Sequence, residues 1–306
     1  MLRLVSYRTD RTAPTWRGGV ASHHALIDLS EYAGVPPRSL AGETYSSVRS
    51  FLAASPDEQE QILAWATHQL DAGEQVLSLN EVELGPPIPD PEKILCLGLN
   101  YPEHAAEAQA DIPPVPTFFA KFRNSLVGPT SPVSLPAVSP FIDYEGELVA
   151  VIGKRCKHVP EQEALAYVAG YMIGNDVSAR DLQMQTSQWT AGKAIDTFAP
   201  MGPGIVLAAD IPDPQALTLT TLVNGEIVQR ESTSQMIFSV AAAIAFLSSF
   251  MTLEPGDLIM TGTPSGIGAR RQRPLFLRAG DIVEVEIEPI GMIRNQMVAE
   301  TRSQPL

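Results

Sequence analysis

The sequence predicts an α+β fold weighted toward strands, with a mixed sheet or roll in a larger C-terminal part and a small α/β unit ahead of it. Three observations carry that expectation. Strand patterns outnumber helix patterns beyond the first third of the chain, they are not spaced as regular βαβ units, and one proline-dense segment divides the chain. With 306 residues, 44% of them hydrophobic against 18% charged, the chain can bury a large core.

Taken in order, short strands are expected at 2–7 and 25–29. A helix then starts where Ser55, Pro56 and Glu58 form a capping box with proline in the first turn. Ile62, Leu63, Ala66 and Leu70 recur at helical spacing, and Gly73 is placed to end the helix. Residues 1–80 thus read as a small N-terminal α/β domain. Pro86, Pro87, Pro89 and Pro91 make residues 81–93 a stiff linker with few possible ladder bonds, and a second domain, 94–306, begins near Ile94. Inside it, 142–153 reads as one strand whose second half, LVAVI, is apolar on both faces. Residues 218–229 read as a hairpin closed by Asn224-Gly225 in a type I′ turn. In 281–288, Val283, Val285 and Ile287 alternate with Glu284, Glu286 and Glu288. Helices are expected at 161–169, after Ser178, and at 234–250.

Charge and composition exclude several classes of function. The 21 Lys+Arg against 35 Asp+Glu give a net charge of −14, so the chain lacks the cationic field that nucleic acid requires. The longest apolar stretch, 240–251, is too short to cross a bilayer and contains Ser248 and Ser249, so no membrane partner is expected. The N-terminus has no continuous apolar segment of the kind a cleaved secretory signal carries. Cys96 and Cys156 form no CxxC pair and suggest neither a disulfide framework nor a zinc knuckle. A reducing cytoplasm is the expected location.

The segment DYEGELVAVIG is the most informative for chemistry. Glu145 and Glu147, two apart on a strand, project from one face, and two carboxylates sharing a site call for a cation between them. Mg²⁺ or Mn²⁺, which prefer hard oxygen ligands, is the economical choice. Asp176 follows Gly174-Asn175 at the end of another strand and offers a third carboxylate. Arg180 and Gln183, three apart on the next helix, lie side by side. In LGLNYPEHAAEAQ, Asn100 reads as a helix cap with Pro102 in the first turn. His104 and Glu107 then share a face, as a base that activates water needs. Lys193, in a chain with few lysines, would supply a fixed positive charge for an oxyanion. The loop IMTGTPSGIG offers backbone N–H groups with Thr261, Thr263 and Ser265, suited to a substrate carboxylate and lacking the Gly-Lys-Ser/Thr end of a phosphate loop. Each feature also has an ordinary reading: a solvated strand end, a turn cap with a surface ion pair, an exposed helical pair, a lysine reaching along a strand edge.

Taken together, GLNYPEHAAE, IDYEGELVAVIG, GYMIGNDVSARDLQ, GKAIDTFAPMGP, VNGEIVQ, LEPGDLIMTGTPSGIG and AGDIVEVEIEPIG, in this order, resemble the fumarylacetoacetate hydrolase family over roughly 94–300. The resemblance implies a mixed β-sandwich roll for the C-terminal domain, a homodimer and a Mg²⁺ or Mn²⁺ ion. By motif it makes Glu145, Glu147 and Asp176 the metal ligands and His104 with Glu107 the water-activating dyad. Lys193 and Gln183 would hold the oxyanion or enolate, and Arg180 and Thr263 the substrate's carboxylate or its other oxygens. The implied partner is a small-molecule keto acid or diacid. The first expectation is hydrolysis of a C–C bond in an acylpyruvate or related 1,3-diketo acid through a metal-stabilised enolate. The alternative is decarboxylation or isomerisation of a 2-keto or 2-hydroxydienoic diacid. Arg270, Arg271 and Arg273, just after the glycine loop, either receive a second carboxylate or form a solvated basic loop. Where many relatives read Gly-Lys-Ser-Phe-Asp, this chain has Gly192-Lys193-Ala194-Ile195-Asp196, which removes a hydroxyl beside the lysine.

Overall fold

The computed structural model describes residues 1–32 and 45–301. One large sheet runs through the molecule. Its strands lie in the order Leu77–Ser78, Ala25–Asp28, Arg17–Ala21, Arg3–Arg8, Ala199–Leu207, Val168–Asn175, Gly146–Ile152, Leu258–Met260, Ile94–Gly98 and Thr117–Lys121. Along this path neighbours are antiparallel, except that Leu258–Met260 and Ile94–Gly98 run parallel. A second sheet, in the order Glu226–Ser232, Thr218–Val223, Ile282–Glu288, Gly291–Ala299 and Val133–Leu135, covers one face. The fold is mostly β, with mixed sheets.

The apolar run LVAVI explains this layering. Leu148, Ala150 and Ile152 point into a core shared with Leu219, Val283, Val285 and Ile287 of the second sheet. Val149 and Val151 point the other way, into a core shared with Val48, Phe51, Ile62 and Ala66 of the N-terminal helices. A strand covered on both faces has no need of alternating polarity. The N-terminal strands extend the same sheet, with Arg3 opposite Val206 and Leu4 opposite Ile205.

Several expected elements are present with altered bounds. The helix Pro56–Ala72 starts at the Ser55 capping box and ends at Gly73, whose φ is +69°. Asn224 and Gly225 both have positive φ, +53° and +82°, as a type I′ turn requires, between Thr218–Val223 and Glu226–Ser232. The helix expected at 161–169 is instead a 3₁₀ stretch, Glu161–Tyr167, because Val168–Asn175 is claimed by the sheet. The helix expected at 234–250 begins later, as Val240–Phe250, where the Ser239 side chain accepts from Ala242 N–H at 3.0 Å. The helix after Ser178 is one turn, Arg180–Gln183. Ser178 does not cap it, since its hydroxyl donates to the Asp176 carbonyl at 2.8 Å. No helix among the described residues is long and apolar enough to cross a membrane.

Gly146, between the two glutamates, faces the second sheet at a distance that excludes a side chain. A Cβ there would lie 2.2 Å from Thr221 Oγ1 and 2.9 Å from Val285 Cγ1. Gly146→Ala is therefore expected to cost about 1–3 kcal/mol in denaturant unfolding. Adding Thr221→Ala should recover part of that loss, and equal stability of Gly146→Ala and the parent would refute the close approach.

Candidate active site

Antiparallel register brings the chemistry together. Gly146 pairs with Asn175 and Glu147 with Gly174, so the start of one strand meets the end of the other, and Asp176 follows directly. The strand expected at 142–153 is broken. Ile142–Asp143 pairs instead with Ser178–Ala179, and Glu145 lies in the gap before Gly146–Ile152. There the Glu145 N–H donates to Asn175 Oδ1 at 2.9 Å, and its carbonyl accepts from the Asp176 N–H at 2.8 Å. Glu145, Glu147 and Asp176 are all buried, and one oxygen of each lies within 4.8 Å of the others.

Three cations are built around them. Lys193, in the turn Thr190–Lys193, donates Nζ to Glu145 Oε2 at 2.6 Å and Asp176 Oδ2 at 2.7 Å. Lys121, at the end of Thr117–Lys121, reaches Asp176 Oδ1 at 2.5 Å from behind. Arg180 pairs through Nη1 with Glu145 Oε1 at 2.7 Å and through Nε with Asp143 Oδ2 at 2.8 Å. Burial alone would raise the Glu145 carboxyl, but Lys193, Arg180 and then His104 hold it well below the usual carboxylate range. Burial would lower Lys193, yet the Asp176 and Glu145 carboxylates hold it above its ordinary value. Glu147 fares differently: burial first, then the charges of Asp176 and Glu145, push it well above the ordinary range. Its hydrogen-bonding partner among the described residues is the Gly262 N–H, at 2.8 Å.

This donor set fits a hard divalent cation. Three buried carboxylates converge, and the least compensated of them, Glu147, lines the cavity wall with Glu145. Mg²⁺ or Mn²⁺ would take such oxygens and leave positions for water or substrate.

The cavity beside the triad measures about 280 Å³. His104, Arg180, Gln183, Lys193 and Thr263 all line it with the two glutamates. Glu107 borders the group from behind His104: His104 Nδ1 lies 2.8 Å from Glu107 Oε1, and Glu107 Oε2 accepts from the Gly266 N–H at 2.9 Å. With both oxygens of Glu107 accepting, Nδ1 carries the proton and Nε2 is left as the basic nitrogen. Arg180 Nη1 donates to Gln183 Oε1 at 3.0 Å, as their spacing predicts, while Arg180 Nη2 is buried with no partner among the described residues. Thr263 Oγ1 accepts from Gln229 Nε2 at 2.8 Å.

Other expectations change. Tyr101, not Asn100, is the N-cap of Pro102–Glu107; Asn100 bonds instead to the Thr261 carbonyl at 2.7 Å and to both backbone polar groups of Phe238. Thr261 turns away and donates to the Leu148 carbonyl, and Ser265 donates to Glu103. Arg271 donates to the Val228 carbonyl, whereas Arg270 lines the cavity. Sequence reasoning missed Lys121, Asp143 and Gln229. Lys121 and Lys193 are two of only five lysines in the chain and the two that are buried, so lysine scarcity was the available signal for both.

Because Glu147 is raised, protons and a metal ion compete for the same oxygens. Mn²⁺ affinity should therefore rise as pH climbs from the ordinary carboxylate range toward neutrality, with proton release on binding. Titration calorimetry in two buffers of different ionisation enthalpy checks this. Glu147→Gln should weaken binding and remove most of the buffer dependence; a buffer-independent heat in the parent would contradict the assignment.

Comparison with known proteins places the chain in a family. The profile described as fumarylacetoacetate (FAA) hydrolase C-terminal matches residues 93–298. The chain is 41% identical over 302 residues to the mitochondrial oxaloacetate tautomerase fahd2 of Xenopus laevis, covering 97% of this chain and 90% of that one. The solved 2-hydroxyhepta-2,4-diene-1,7-dioate isomerase of Mycobacterium marinum superposes with a TM-score of 0.73 at 32% identity, over 99% and 100% of the two chains. Maleylpyruvate hydrolase of Sphingobium sp. SYK-6, solved with manganese(II) and pyruvate, gives a TM-score of 0.77 at 30% identity, over 98% and 100%. The chain is an enzyme of the fumarylacetoacetate hydrolase family.

Proposed function

We propose that the chain interconverts the keto and enol forms of a small 2-keto acid, with oxaloacetate the substrate to try first. The observation that carries this reading is His104, fixed by Glu107 on the wall of the cavity that holds Glu145, Glu147 and Lys193. Tautomerisation asks for one well-placed base. His104 Nε2 takes a proton from the carbon next to the keto group, and a proton is returned at oxygen, so no water is consumed. Lys193 faces the negative charge that develops on that oxygen, and Arg180, Gln183 and Thr263 hold the substrate carboxylate. A Mg²⁺ or Mn²⁺ ion held by Glu145, Glu147 and Asp176 would supply Lewis acidity toward the keto oxygen. The 41% identity to a protein named oxaloacetate tautomerase, across nearly the whole chain, supports this substrate.

Hydrolysis of an acylpyruvate or related 1,3-diketo acid is the second reading. The same dyad suits activation of water, and the likeness to maleylpyruvate hydrolase favours it. Decarboxylation or isomerisation of a diacid draws on the same groups. A homodimer is proposed with either reading; Phe122, Val138 and Phe250 offer exposed apolar surface for one, which light scattering would weigh. Cys96 and Cys156 are free and buried, in keeping with a reducing compartment. Cytoplasm is the sequence-based proposal, and the Xenopus relative is named mitochondrial.

The test follows the ultraviolet absorbance of enol-oxaloacetate with Mn²⁺- or Mg²⁺-loaded protein and a chelator control, while NMR reads the products. Metal-dependent loss of the enol signal without new products is expected. His104→Ala should slow it at least ~100-fold and still bind Mn²⁺. Release of pyruvate and a carboxylic acid from an acylpyruvate, without tautomerisation, would establish hydrolysis instead.

A further inference from the structure

The three arginines after the glycine loop part company in the fold. Arg271 is spent on the Val228 carbonyl at 3.2 Å, and Arg273 is exposed outside the cavity wall. Arg270, also exposed, is the one of the three that lines the cavity, at its open side, and among the described residues it forms no ion pair. The other two cations on that wall, Lys193 and Arg180, bond to Glu145, and the unpartnered Nη2 of Arg180 lies buried beside the triad, where the carboxylate next to the keto group would take it. Around them the wall is largely apolar, with Leu97, Phe119, Trp189 and Ile267. A charged substrate tail placed against such surface loses hydration unless a cation meets it.

The backbone under Arg270 is fixed by the group that fixes Arg180. Asp143, fully buried, accepts from the Gly268 N–H at 2.7 Å and the Ala269 N–H at 3.0 Å. It also accepts from Arg180 Nε at 2.8 Å. One carboxylate therefore sets both the turn that presents Arg270 and the guanidinium inside the cavity.

We propose that Arg270 determines specificity by taking the distal carboxylate of a short dicarboxylic 2-keto acid, with Asp143 as the positioning residue. The proposal rests on the reading that this cavity takes a 2-keto acid, and it names the residue that selects diacids within that reading. With Arg270 the site selects diacids; without it the apolar wall favours a monoacid of the same length.

The experiment measures dissociation constants of Mn²⁺-loaded protein for 2-oxoglutarate and 2-oxovalerate, five-carbon probes that differ in the distal carboxylate. The parent should prefer the diacid, by a margin that shrinks with added salt. Arg270→Gln should cut that preference about three- to tenfold. Arg270→Lys should restore part of it, and Arg273→Gln, the same charge loss off the cavity, should match the parent. Asp143→Asn should lower the preference as well; if it fails to fold, the Arg270 variants decide. An unchanged ratio in Arg270→Gln, or a parent that prefers the monoacid, overturns the proposal. Binding of neither probe by the parent contradicts the keto-acid reading itself.

Discussion

Burying several carboxylates side by side is the constraint on which the rest of this structure depends. Asp143, Glu145, Glu147 and Asp176 are all removed from water, and uncompensated charge there would cost several kcal/mol per ion. Lys121, Lys193 and Arg180 answer them at 2.5–2.8 Å. Four carboxylates thus face three cations. The imbalance collects at Glu147, whose bonding partner is a backbone N–H and whose carboxyl is displaced upward. A site with one more negative group than positive ones, beside a cavity, is prepared for a cation.

The fold serves that arrangement. The strand Gly146–Ile152 is packed on both faces, and its antiparallel partner ends where it begins. The loop after Leu258–Met260 then crosses the site and is fastened wherever a carboxylate or amide meets it. Glu147 takes the Gly262 N–H, Glu107 the Gly266 N–H, Asp143 the Gly268 and Ala269 N–H groups, and Gln229 donates to Thr263 and Pro264. Acid groups that hold charge also hold backbone, so local geometry and site electrostatics are not separable here.

Much of this was legible before the structure. Glu145 and Glu147 at the head of an apolar run, Asp176 at a strand end, and a lone lysine after Gly192 stand out by residue type and spacing, although Glu145 falls in the gap before the strand and not on it. Lys121 had only the scarcity of lysines to mark it, since TFFAK reads equally well as a strand ending in a solvated lysine; the fold brings it behind Asp176. Asp143 was hidden inside what reads as a continuous strand, because the break at Tyr144 and Glu145 holds no proline and Gly146, which borders it, reads equally well as a glycine within the strand. The strand Arg17–Ala21 was missed for the opposite reason, as its two glycines mimic a turn. Asn100 looks like a helix cap by position, and long-range bonds to Thr261 and Phe238 claimed it.

A cation held between Glu145, Glu147 and Asp176 is what the charge imbalance of this site calls for. The most direct measurement is anomalous diffraction at the manganese edge from crystals grown with Mn²⁺. A single strong peak about 2.1 Å from one oxygen of each of the three carboxylates is expected. A peak elsewhere in the cavity, or none at saturating Mn²⁺, would contradict it.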